Sequence, residues 1–109
     1  MNKKSIVLTS ALILFSTLAV SETEHALQAF THNKAAIEHG EMGHAPILVE
    51  HAQMALEHAN ASQKAQSNPH ISEAISHLKM AIDHGKMGHA DIATGHAKEA
   101  QRHINMAGR

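Results

Sequence analysis

Cysteine is absent from the 109 residues. That removes a disulfide framework, Cys-based zinc or iron–sulfur sites, c-type haem attachment and thiol catalysis. Trp and Tyr are absent as well, and Phe15 and Phe30 are the only aromatic residues besides His. Bases therefore have no aromatic platform to stack on. Basic charge is not in excess either: nine Lys plus Arg face ten Asp plus Glu, for a net charge of −1 with His neutral. No basic stripe is present, which argues against a nucleic-acid partner. The length suits one small domain. With so few large side chains, its core is expected to be marginal by itself. What the chain does have is His: twelve residues, more than either class of charge.

The N-terminus reads as a secretory signal peptide. Asn2-Lys3-Lys4 is a positive start, and Ser5 to Leu18 is an apolar run too short for a membrane span. Thr17-Leu18-Ala19 and Ala19-Val20-Ser21 both offer small residues at a cleavage site. Residues 1–21 are thus expected to be removed, leaving 22–109 as an exported domain without a membrane anchor. Losing Lys3 and Lys4 takes the net charge from −1 to −3.

Internal repetition decides the architecture. His stands at 25, 32, 39, 44, 51 and 58, and again at 70, 77, 84, 89, 96 and 103, each shifted by 45. Ala29 and Ala74, Ile37 and Ile82, Gly40 and Gly85, and Met42 and Met87 obey the same shift. The exported chain is a tandem duplication: repeat 1 at about 22–63, a linker at 64–68, and repeat 2 at about 69–109.

Within each repeat the His spacings are 7, 7, 5, 7, 7. The fives fall at His39-Gly40-Glu41-Met42-Gly43-His44 and His84-Gly85-Lys86-Met87-Gly88-His89, where two Gly signal a helix stop and a turn. The flanking segments are rich in helix formers. Asn68-Pro69 reads as an N-cap followed by Pro in the first turn, and Pro46 also suits a first turn. Four helices are predicted, at about 22–39, 44–63, 69–84 and 89–107. On a seven-residue grid with His at zero, positions plus one, plus four and plus five are mostly apolar, with Asn33, Thr94 and Gln101 intruding. The His column then runs along the border of the core. The expected fold is all-α, an antiparallel four-helix bundle built from two αα-hairpins.

Residues seven apart on one helix are separated by roughly 10.5 Å along its axis, whereas metal–nitrogen bonds are about 2.0 Å. Two His of one helix therefore do not share an ion. Ligands must come from two helices, and antiparallel folding supplies them. His39 meets His44, His32 meets His51, and His25 meets His58; in the second repeat the pairs are His84 with His89, His77 with His96, and His70 with His103. The prediction is six two-His rungs, with all twelve His as metal ligands. Each of Met42, Met54, Met80, Met87 and Met106 lies three residues beyond a His, a neighbouring position on a helix and a candidate third donor. Thioether favours Cu(I), while imidazole suits copper, zinc and nickel. Glu24, Glu38, Glu50, Glu57 and Asp83 directly precede a His and are expected on the solvated side.

Other classes fit less well. A His- and Met-bearing bundle could hold a b-type haem and carry electrons, but one haem leaves the periodic surplus of His unexplained. A di-metal carboxylate oxidase needs Glu-x-x-His on two helices, and one of the two such motifs here, Glu41-Met42-Gly43-His44, falls in a turn. A metal-free, pH-responsive structural or chaperone protein is the remaining alternative, since protonating all twelve His would swing the exported chain from −3 to +9. No nucleophile–base constellation appears, so no enzyme is expected.

The His-headed seven-residue units, the His-Gly-x-Met-Gly-His turns and the run Glu50-His51-Ala52-Gln53-Met54-Ala55-Leu56-Glu57-His58-Ala59-Asn60 resemble the small metal-binding protein family. The resemblance covers nearly all of the exported chain. It implies a periplasmic, His-rich helical bundle that binds copper and other divalent metals; a monomer is expected, with copper bound as Cu(II) or Cu(I). The implied roles are buffering, storage or detoxification. Every one of the twelve His matches the repeated His position; Gly95 and Arg102 depart from the pattern, standing before His96 and His103 where the second helix has Glu50 and Glu57.

Overall fold

A computed structural model describes residues 23–108. The proposed signal peptide lies outside the described residues. Four helices follow one another: α1 over residues 23–41, α2 over Ala45–Ala65, α3 over Pro69–Lys86 and α4 over Ala90–Ala107. They form the antiparallel bundle of two hairpins, with no strand among the described residues. No helix among them is long and apolar enough to cross a membrane.

The caps read from sequence hold. Asn68 Oδ1 accepts from the His70 backbone N–H at 2.8 Å, with Pro69 beginning α3, so one orphan donor is satisfied where Pro removes another. The turns differ from expectation in one respect. Gly40 and Gly85 do not stop their helices; α1 runs to residue 41 and α3 to Lys86. The stop comes at Gly43 and Gly88, both at φ 78°. His44 N–H bonds His39 C=O at 2.9 Å and Gly43 N–H bonds Gly40 C=O at 3.0 Å; His89 with His84 and Gly88 with Gly85 repeat those distances. This pattern is a Schellman motif, whose flanking side chains commonly make an apolar contact across the turn. Here those two places are His39 with His44 and His84 with His89.

Why, then, keep Gly40 and Gly85? Each makes room for a neighbouring hairpin. A Cβ on Gly40 would collide with Thr94 Oγ1 of α4 and stand 2.6 Å from Leu48 Cδ1; one on Gly85 would stand 2.5 Å from Val49 Cγ2 of α2. Thr94 and Val49 are themselves 45 residues apart, so the duplication has preserved the same close approach twice. We expect Gly40→Ala to cost about 1–3 kcal/mol by overpacking. That corresponds to a fall in Tm of roughly 4–8 °C per kcal/mol in a domain of this size. Gly95→Ala is the control: nothing stands within 4 Å of its Cβ position, so helix propensity alone should raise stability by up to about 1 kcal/mol. Equal melting of Gly40→Ala and wild type would remove the close-approach explanation.

The core is built from small side chains. Among the described residues, eleven of the sixteen buried apolar ones are Ala, and Leu48, Ile71 and Leu78 are the largest of those fully buried. Most plus-one and plus-four residues are buried; of the plus-five residues, Ile82 and Thr94 are buried too, while Phe30, Val49, Leu56 and Ile75 are half-buried against the core. At 100° per residue the buried stripe centres about 70° from His, and plus five lies about 70° beyond the centre. His and plus five are thus the two equivalent edges of one stripe. The His edge is the seam within each hairpin, and the plus-five edge is the seam between hairpins. Two of the polar residues that interrupt the stripe lie on the second seam and pair there. Asn33 Nδ2 of α1 donates to Ala97 C=O and Gln101 Oε1 of α4, both at 2.8 Å, while Gln101 Nε2 donates to Phe30 C=O at 3.2 Å. Thr94 Oγ1 instead donates to Ala90 C=O in its own helix. Leu78 and Leu56 occupy the duplicated positions in the pseudo-equivalent α2–α3 seam. One seam is polar where its twin is apolar, a difference that favours a single pairing of the four helices.

Candidate metal centre

Each hairpin carries one column of six imidazoles along its inner seam. Ten of the twelve His are half-buried; His44 and His89, at the turns, are exposed. All six expected pairs are in contact. Ring centroids are 5.3 Å apart for His25 and His58, 6.2 Å for His32 and His51, and 5.8 Å for His39 and His44. The second hairpin has 5.5 Å for His70 and His103, 5.5 Å for His77 and His96, and 6.0 Å for His84 and His89. Because these are the within-hairpin seams of a four-helix ring, the two columns lie on opposite faces of the bundle.

The rungs are not separate, as sequence spacing suggested. Rings also stack diagonally between rungs: His32 on His58 at 5.6 Å and 4°, His39 on His51 at 5.5 Å and 7°, His77 on His103 at 6.0 Å and 13°, and His84 on His96 at 5.6 Å and 14°. Side chains in a helix lean toward its N-terminus, so two antiparallel columns lean opposite ways and interdigitate. The result is a continuous zigzag of six rings per hairpin.

Nitrogen geometry is more specific than ring contact. Nδ1 atoms of His25 and His58 are 3.1 Å apart, and those of His70 with His103 and His77 with His96 are 3.2 Å apart. Two nitrogens bound to one ion at about 2.05 Å would be separated by about 2.9 Å at a right angle and about 3.3 Å at a tetrahedral angle. The three observed separations fall between those limits. Nδ1 of His39, His51 and His84 is buried without a hydrogen-bond partner, a cost of about 1–3 kcal/mol each that a bound cation would relieve. At those separations each of the three pairs also shares an N–H···N hydrogen bond across its hairpin, whereas Nδ1 of His39, His51 and His84 has no such bond to give up.

The family described as Small metal-binding protein matches residues 1–107. The chain belongs to the small metal-binding protein family. No curated protein matches it. Metal ions are accordingly the partners of this bundle, and the imidazole columns are where its sequence concentrates donors.

Donors beyond His differ between the hairpins of this small metal-binding protein. Met42 and Met87 are exposed at the turns and Met80 is exposed on α3, whereas Met54 and Met106 are half-buried. The acidic residues directly before His, including Glu57 and Asp83, are exposed as expected. Sequence reasoning missed Glu73. One ligand atom each from Glu73, His77 and His103 lies within 4.8 Å of the other two. The signal was available: Glu73 stands three residues after His70 and four before His77, the positions that share a helix face. Five other His have Met at that place, three residues beyond them.

Burial and like charge act together on the columns. Desolvation first, then the neighbouring imidazoles His25 and His32, lower the pKa of His58, with Glu57 opposing. His96 is lowered by desolvation and by His77 and His84. His103 is lowered by desolvation, then by the Arg102 guanidinium, with Glu73 opposing. Arg102 is clasped by Glu99 at 2.8 and 3.0 Å, and that hydrogen bond and charge hold the Glu99 carboxyl below its usual range. At His58, His96 and His103 the neutral imidazole is therefore favoured, the form that binds metal.

Proposed function

We propose that the protein is a reversible, non-catalytic binder of copper and other divalent transition metals in the periplasm, acting in buffering, storage or detoxification. The observation that carries this reading is the set of cross-helix Nδ1 pairs at 3.1–3.2 Å. Two imidazoles per ion give on the order of six sites, and four imidazoles per ion about three. Diagonal stacking between rungs suits the second arrangement equally. Half-burial of the rings keeps both columns at the surface of the bundle, so ions reach them from solvent by side-chain movement, including where Nδ1 of His39, His51 and His84 is itself shielded. Zinc and nickel share the preference for imidazole, and copper in either oxidation state accepts it.

The test is a copper titration of the exported chain beside the double variant His77→Ala, His96→Ala, with metal content of protein taken from its native compartment. The variant should lose about one ion while keeping its helical circular dichroism. Unchanged copper capacity in the variant, or native protein isolated free of metal, would sink the proposal.

A further inference from the structure

The duplication copied the imidazoles faithfully but not the residues between them. Between the rungs His70/His103 and His77/His96, the flanking positions are Glu73 on α3 and Glu99 on α4; their duplicates in the first hairpin are Gln28 and Met54. The ring frames are alike: His77 stacks on His103 at 6.0 Å, and their duplicates His32 and His58 stack at 5.6 Å. What differs is charge. Gln28 and Met54 are neutral donors, and Gln28 Nε2 is turned to Glu24 at 3.3 Å. Glu73 is exposed and within ligand distance of His77 and His103.

Resting on the metal-binding reading above, we propose that the hairpins are unequal, and that the first zinc-like divalent ion occupies a site made by Glu73, His77 and His103. Zinc accepts mixed nitrogen and carboxylate sets, usually with three protein ligands and a water when the site is open. A carboxylate ligand also cancels part of the ion's charge, which Gln28 and Met54, the neutral residues at the duplicated places beside His32 and His58, cannot do. One group opposes the ion: Arg102 Nη2 lies 3.4 Å from His103 Nε2. Glu99 offsets it by binding that guanidinium. The two glutamates thus divide the work, Glu73 facing the ion and Glu99 neutralising the arginine. The first hairpin needs no such partner, because Glu57 stands where the second has Arg102.

The experiment is a zinc titration of the full exported chain, followed by calorimetry and by NMR of the His ring signals, with Glu73→Gln and Gln28→Glu as variants. Both substitutions are on exposed or half-exposed helix positions and should leave the fold intact. In wild type the first equivalent should move the rings of His77 and His103 before those of His32 and His58. Glu73→Gln should weaken first-ion binding at least about tenfold, since even loss of a residue that only supports a ligand costs 10–100-fold. Gln28→Glu should draw the ion to both hairpins. Equal first-ion affinity in wild type and Glu73→Gln, or first occupancy at His32 and His58, overturns the assignment of the first ion to Glu73, His77 and His103 while leaving metal binding intact. A wild-type chain that takes up no zinc overturns this proposal, and if it also takes up no copper, the broader reading falls with it.

Discussion

Taking the protein from pH 7.5 to 5.5 should weaken metal binding by about two orders of magnitude. An ion held by two imidazoles competes with two protons. A free imidazole, with a reference pKa of about 6.5, passes from roughly 90% to roughly 10% neutral over that interval, about tenfold per ligand. The lowered pKa of His58, His96 and His103 moves the loss at their sites to somewhat lower pH. Competition against a chromophoric chelator at several pH values reads the effect directly, and affinity flat across the interval would contradict imidazole ligation. The metal-free bundle should weaken over the same range. In the unfolded chain these His take up protons near pH 6.5, whereas in the fold they resist until lower pH. Stability is therefore greatest above about 6.5 and is lost as pH falls through the lowered native values. Full protonation would also set imidazolium rings 5.3–6.2 Å apart along both columns.

Metal should raise the melting temperature by a comparably large amount. An ion that bridges α1 to α2, or α3 to α4, binds the folded chain and not the separated helices. At a free concentration of 100 times Kd, one such site adds about 2.7 kcal/mol. In a domain of this size that corresponds to roughly 10–20 °C, and independent sites in the two hairpins add further. The Ala-dominated core makes the effect easy to see, because little apolar area competes with it. Thermal melting followed by circular dichroism, with and without copper and after chelation, measures it. Superimposable curves would mean that the paired imidazoles do not clip the hairpins together.

Much of this molecule is legible along the chain, for a physical reason: its information is periodic. The 45-residue shift exposes the duplication, the seven-residue His spacing sets the pairs, and Asn68-Pro69 marks where α3 begins. Helix ends were less legible. Gly40 and Gly85 look like stops, yet their real function is contact with Thr94 and Val49 on the other hairpin, which no local pattern displays. The polar interruptions had the same cause. Asn33 and Gln101 stand 68 residues apart and are compatible with a core only because they meet.

Residue type and spacing alone determined that twelve imidazoles would form two columns, each paired across a hairpin, since helical periodicity and an antiparallel turn leave them nowhere else to go. Only the tertiary structure decided how the columns mesh and which other donors reach them. Diagonal stacking depends on how two helices lean against each other, and the approach of Glu73 to His103 crosses from α3 to α4. Distances between helices are set by packing, and packing is a property of the assembled bundle.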